Sequence, residues 1–398
     1  MTKRTSAPAF AVQRSSQANR NRCRLLIGLL TFSLAAIFYF ACSTSSSDSQ
    51  GADAGAIEAV SRARYQQYFE GNRKPPPVLT LPRAALYGEP DSFGLLADLA
   101  VVDHRVIVLD SLSVLGVALI DRRDGSITLP HKLGGTVASV TNPTAIAPGD
   151  GTTVWLYFSR SGEWTSFDVE ALEASPSRAV ELPKGLSQPI RIGYRIVANG
   201  LFAGELLRIY DMHDEAAVLV TARGATPFPA IKPDLAIHLN RTQLAVRPRG
   251  DRLVLAFRYL SRLHVFDAQG DLERGLAGPE EVELRYGVTY DSREGIDRFV
   301  RTDDTRLAYL DVAASDDLIF GLFSGRRRGD SPDTASHGNE IHLFRWDGRF
   351  VGVWRLEEDV YRIDVDPTTG MLLGIRELPF PAVVEFSLEP LGGVNATE

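Results

Sequence analysis

From Pro77 toward the C-terminal end, apolar and polar residues alternate in short runs, and no stretch sustains an apolar period of 3.6 residues. Such runs, bounded by Gly, Asp and Asn, predict strands joined by tight turns, which makes the chain all-β in this region. One unit recurs, an apolar strand that ends in an acidic or polar turn with Gly and re-enters a strand. It reads ALIDRRDGSITL at 118–129, RIYDMHDEAAVL at 208–219, HVFDAQGDL at 264–272 and HLFRWDGRFVGVW at 342–354, with looser versions at 166–182 and 383–391. Gly in these turns supplies the positive φ that a tight hairpin needs.

A second pair of short strands precedes each unit, at 96–110, 144–159, 191–204, 243–257, 306–325 and 361–375. Six first pairs and six second pairs make six four-stranded antiparallel sheets over residues 77–390, about 52 residues each, near the period of propeller repeats. A sandwich also has many short strands, but it does not repeat one four-strand unit six times. The expectation is a six-bladed β-propeller in which an N-terminal strand, Val78–Leu81, closes the last blade from outside and removes an exposed edge. Insertions are expected at about 280–305 and 326–338, and residues 391–398 form a tail.

The segment AYLDVAASDDLIFGLFSGRRR at 308–328, followed by NEIHLFRWDGRFVGVWRLEEDVYRIDVDPTTGMLLGI at 339–375, resembles the TolB-like six-bladed β-propeller lipoproteins in its order of strand, Ser-Gly turn, strand, Asp-Gly turn and return strand. The likeness spans roughly 77–390. It implies the propeller fold and a lipid anchor; most members of the family have no assigned activity, so no catalytic residue is carried over.

The N-terminal part reads differently. Leu25 to Ala41 is an uncharged apolar run of 17 residues behind a basic stretch, the order of a secretory signal peptide over residues 1–41. Ala41-Cys42 resembles the end of a bacterial lipobox, with Cys42 the residue that would be lipidated, although Tyr39 and Phe40 depart from the usual aliphatic and small pair. An uncleaved signal anchor is the competing reading, because 17 apolar residues sit at the short limit of a spanning helix, and plain secretion is the third. Residues 42–76 read as a small, polar tether with a short helix between Ile57 and Phe69, stopped by Pro75-Pro76-Pro77. Localisation at the cell envelope, lipid-anchored and extracytoplasmic, follows from this order.

Charge narrows the function classes. The first 41 residues carry six basic side chains and no acid, so the net charge of −7 becomes −13 for the remainder. That sign argues against nucleic acid, whose phosphates require a basic face. The only cysteines are Cys23 and Cys42, so the chain beyond Cys42 holds no disulfide. No nucleophile elbow, P-loop, dinucleotide fingerprint or helical metal-binding His pair occurs, so neither a catalytic residue nor a metal or other cofactor is assigned.

Loops on a rigid scaffold commonly carry binding. The loops between second and third strands, with the adjacent inner strands, give the candidate ligand-binding residues Arg160, Trp164, Tyr259, Arg262, Tyr309, Arg326, Tyr361 and Arg376, with Arg327, Arg328 and Tyr194 nearby. Guanidinium forks match carboxylate and phosphate, which suggests an anionic or glycan-like extracellular ligand or an envelope protein as partner. The predicted function is a membrane-tethered binding or scaffolding module. The alternative is a calcium-dependent lactonase-like hydrolase with Asp98, Asp311 and Asp364 at the channel mouth, since calcium takes clustered oxygen ligands. For these acids, pairing with Arg362, Arg306 or backbone amides is the competing expectation.

Overall fold

The computed structural model describes residues 78–388 apart from 90–91, 111–115, 130–141, 201, 203, 214–215, 226, 228–231, 331–333 and 367. The signal peptide, Cys42, the tether and its helix, and the tail at 391–398 lie outside the described residues. Among the described residues, no helix is long and apolar enough to cross a membrane.

Six antiparallel blades form the expected propeller, blades two and three being joined at their outer strands by a parallel pairing of Glu181 with Ala216. From the inside outward, blade one is Leu96–Val102, Arg105–Asp110, Val117–Asp121 and Ile127–Thr128, and blade two is Ala145–Pro148, Thr153–Phe158, Glu163–Asp168 and Glu173–Glu181. Blade three is Leu186–Ile192, Arg195–Gly200, Glu205–His213 and Ala216–Ala225, and blade four is Thr242–Val246, Arg252–Phe257, Arg262–Asp267 and Leu272–Ala277. Blade five is Tyr309–Ala314, Leu318–Phe323, Gly338–Arg345 and Phe350–Val360, and blade six is Arg362–Asp366, Met371–Arg376 and Ala382–Ser387 plus an N-terminal strand.

Both faces of each sheet are buried against neighbours. The hydrophobic core is therefore six clusters, one in each seam between consecutive blades. Second strands such as Leu318–Phe323, buried along their whole length, read as unbroken apolar runs because neither face meets water. Gly321 in that strand makes room for the Tyr309 ring, where an added Cβ would stand 2.7 Å from a ring carbon. Gly270, at φ +82°, turns the third strand of blade four into its fourth.

The ring closes differently from the sequence expectation. Val78–Leu81 does not join the last blade; it runs parallel to Phe350–Val360 as a fifth strand of blade five, with Leu81 opposite Leu356. The outermost strand of blade six is Arg83–Tyr87, antiparallel to Ala382–Ser387. Pro82 separates the two strands, and its missing amide suits a point where the chain leaves one ladder for the next. The N-terminal strands therefore span the seam between blades five and six.

Two additions decorate the ring. The expected insertion near 280–305 folds as a hairpin, Gly287–Asp291 with Ile296–Val300. A seven-residue helix, Pro233–Leu239, packs against that hairpin, an element that the missing helical periodicity did not announce.

Leu81 is fully buried in the seam cluster, whereas Leu79 is 36% exposed. Leu81→Ala should cost about 2–5 kcal/mol in urea unfolding, while Leu79→Ala should cost under about 1 kcal/mol. Equal losses would contradict the parallel pairing.

Candidate functional site

Turns between first and second strands, and between third and fourth, leave the ring on one face; turns between second and third strands, and the connections between blades, leave on the other. A cavity of about 940 Å³ runs along the inner strands of all six blades and reaches the first of these faces. Aliphatic side chains, including Val101, Ile146, Ile190, Val246, Val312 and Val365, share its walls with polar and charged ones.

Its deeper part is ringed by polar side chains that stitch one blade to the next. The Ile363 N–H of blade six donates to Asp311 Oδ2 of blade five at 2.9 Å, and the Val101 N–H of blade one donates to Asp364 Oδ2 of blade six at 3.2 Å. The Ile146 N–H of blade two donates to Asp98 Oδ2 of blade one at 3.3 Å, and the Leu244 N–H of blade four donates to Gln188 Oε1 of blade three at 2.9 Å. Three of these acceptors, Asp98, Gln188 and Asp311, follow directly on a register shift in the inner strand. Such bulges re-aim a side chain, here sideways toward the neighbouring blade.

Arg362 lies among the three acids. Its Nε donates to the Ala97 carbonyl at 3.2 Å and its Nη1 to the Leu310 carbonyl at 3.3 Å, the two residues set apart by the register shifts. Burial pushes the Asp98 carboxyl up to about 7, opposed by Arg362 and reinforced by Asp311. Asp364 is pushed up to about 7 by burial, against the N–H groups of Val365 and Val101 and with the help of Asp98 and Asp311. Asp311 is also raised by burial, with Arg362 opposing. Arg258, lowered to about 10 by burial, contributes to the same field. The competing expectation for these acids thus describes their contacts, except that Arg306 pairs with Glu280 at 3.0 Å. Among the described residues, no group of three or more His, Cys, Asp or Glu side chains could hold a metal ion.

Arginines collar the mouth, each beside an aspartate: Arg191 with Asp150 at 3.1 Å, Arg195 with Asp211 at 3.0 Å, Arg247 with Asp251 at 3.0 Å and Arg249 with Asp316 at 3.4 Å. Arg191, Arg195 and Arg247 also lie over the rings of Trp155, Tyr194 and Trp346 at 5.9, 5.2 and 5.7 Å. Tyr194, 63% exposed, stands at this mouth, in the turn between the first and second strands of blade three.

The structure does not bring the other candidate residues into one site. Trp164 is fully buried and stacks on Trp155 at 4.2 Å. Tyr259 is buried against Phe299, and Tyr309 is buried with its hydroxyl 3.1 Å from His342 Nδ1. Arg326 is held by both carboxylate oxygens of Asp359 at 2.6 Å, and the buried Arg376 is bound to Glu358 at 2.6 Å with its guanidinium over Phe380. Tyr361 is half-buried and donates its hydroxyl to the Leu96 carbonyl. Arg160 is exposed in a turn and Arg262 is half-buried at the start of the third strand of blade four, both toward the face away from the cavity mouth. Arg327 lies in an isolated bridge with Arg306, and Arg328 donates to the Arg301 carbonyl. His264 and His342 are interior sheet residues whose ring nitrogens burial drives down, to about 4 and about 3.

Sequence reasoning missed Gln188 and the mouth arginines. The available signal was a polar residue at the third place of an otherwise apolar inner strand, as in LAD, LSQ and YLD.

These features define a six-bladed propeller with an open central channel. Residues 231–368 match the family described as TolB-like 6-blade propeller-like, the family whose strand and turn pattern the sequence resembles. No curated protein matches the chain. Among solved structures, the chain is similar to the beta-propeller domain of Myceliophteria thermophila Cps50 (Swd1), with 12% identity and a TM-score of 0.44 over 74% of this chain and 98% of that one. It is similar to Kuenenia stuttgartiensis hydrazine synthase, with 11% identity and a TM-score of 0.43 over 74% and 96%. It is also similar to the RRP9 WD40 repeats, with 8% identity and a TM-score of 0.48 over 78% and 99%.

The raised carboxyls give a signed pH dependence. Asp364 binds its proton near 7 when folded and near 3.8 when unfolded, so the folded state holds the extra proton between these values and gains stability as pH falls through 7. Measured against Asp364→Asn by denaturant titration, the native chain should gain stability from pH 8 to pH 5. A constant difference across that range would contradict the burial of an uncompensated carboxyl.

Proposed function

We propose that this chain is a membrane-tethered, extracytoplasmic binding module whose ligand or partner engages the open end of the central channel. The observation that supports this most is the cavity itself, about 940 Å³ with aliphatic side chains in its walls, a polar ring inside and an arginine-aspartate collar at its mouth. Concave, mostly apolar sites with a few placed polar groups are where proteins bind smaller molecules or a protruding part of a partner. Six seams packed on both sides make a rigid frame for such a site. The basic leader, the apolar run and Cys42 support a bacterial lipoprotein carried out of the cytoplasm and held at the envelope by acyl chains.

Each half of the proposal has its own test. Ala314 lines the cavity near the mouth, so Ala314→Trp narrows the entrance, whereas Arg160→Glu alters the opposite face. Full-length protein in detergent should capture its ligand or partner from envelope extract; Ala314→Trp should abolish that capture and Arg160→Glu should preserve it. Capture lost only with Arg160→Glu would move the site to the other face. Cys42→Ala should shift the protein from the detergent phase to the aqueous phase in phase partitioning, and unchanged partitioning would refute the lipid anchor.

A further inference from the structure

We propose that the deep end of the channel receives an alkyl cation, an ammonium or guanidinium group on an aliphatic stem, with its charge facing Asp98, Asp311 and Asp364. This inference rests on the binding reading above and names the ligand chemistry of the same cavity. The argument is one of charge balance at the inner end of the channel. Each of the three carboxyls accepts backbone N–H groups, and among the described residues none forms an ion pair with a basic side chain. Arg362, the nearest guanidinium, has its Nε and Nη1 turned to the Ala97 and Leu310 carbonyls.

Three carboxyls line this end, and the guanidiniums of Arg362 and Arg258 and the Tyr361 phenol interact with them from outside the lining. With the phenol neutral and the other groups ionised, the set is one positive charge short of neutrality. Protons make up that shortfall as pH falls through about 7, because burial disfavours the charged carboxyl. A cation of fixed charge would do the same with better geometry, and its stem would lie against Ile146, Val101, Val312 and Val365. An anionic group would meet no basic side chain among the lining residues at this depth. The arginines that would attract one stand at the mouth beside their aspartates.

Binding must then displace protons. The test is titration calorimetry of the full-length protein in detergent with n-butylguanidinium and n-butylammonium, at pH 8 and pH 6, in two buffers of different ionisation enthalpy. Uncharged n-butanol, n-butyrate and calcium serve as contrasts, and a blocked Gly-Arg-Gly peptide separates a free cation from a side chain offered by a partner. The expected result is binding of the alkyl cations or the peptide with proton release, about tenfold weaker at pH 6 than at pH 8. Asp364→Asn should weaken binding while thermal unfolding shows a folded protein; if that variant does not fold, the proton release of the native chain decides. Butyrate or butanol binding as tightly, an affinity indifferent to pH, or calcium binding more tightly than either cation would overturn the proposal. If no cation binds but Ala314→Trp still abolishes capture from extract, the cation assignment fails and the binding reading stands; if cations bind and capture ignores the block, the reverse holds.

Discussion

Everything in this molecule depends on sheets that are apolar on both faces. A four-stranded blade cannot bury two faces by itself, so each needs a neighbour on either side, and the last can be satisfied only by the first. The six seam clusters are that requirement met around a circle. A straight stack of such sheets would leave two uncovered ends, whereas the ring leaves none. Closure is thus a condition for burying the core at all.

The ring also creates an interior space where polar groups accumulate. Inner strands converge on the axis, and a strand beside the channel has no further strand on its inner edge to take up its amides. Asp98, Asp311, Asp364 and Gln188 fill that role by reaching sideways to the next blade. The same placement partly shields the carboxyls from water and lifts Asp98 and Asp364 toward the neutral range. Structural stitching and an unusual channel charge are therefore consequences of a single arrangement. Perturbed carboxyls in a cavity point to function by their position, while their hydrogen bonds account for their presence in the frame.

Much of the fold was legible because turn chemistry repeats. The acid-to-glycine turns at Asp121, Asp267 and Asp347 mark the same place in three blades, and counting them with their looser relatives gives six sheets. The closing strands were harder to assign. VLTL and RAALY are both short and apolar enough to cover an edge, and only the position of the open edges decides that the first joins blade five and the second blade six. The channel was legible only in part. Rim residues were chosen from the turns after second strands, but the cavity opens where first strands turn into second ones, which a strand count does not distinguish. Trp164 and Tyr309 have the composition of a binding platform and the burial of core, because alternation along a strand does not say which face meets a neighbour. Asp98 and Asp311 announced themselves as acids within apolar strands, yet the register shifts that aim them are invisible in the sequence.

The pairing of Arg83–Tyr87 with Ala382–Ser387 has a consequence for synthesis. The earliest part of the ring to emerge from the ribosome is also among the last to find its place, since its partner strand is made some 300 residues later. Until then blade six lacks its outer strand, and the neighbouring N-terminal strand lacks its own partner in blade five. Intermediate chain lengths expose unpaired strand edges that invite aggregation. A polypeptide built this way gains by staying extended and chaperoned until its end is complete.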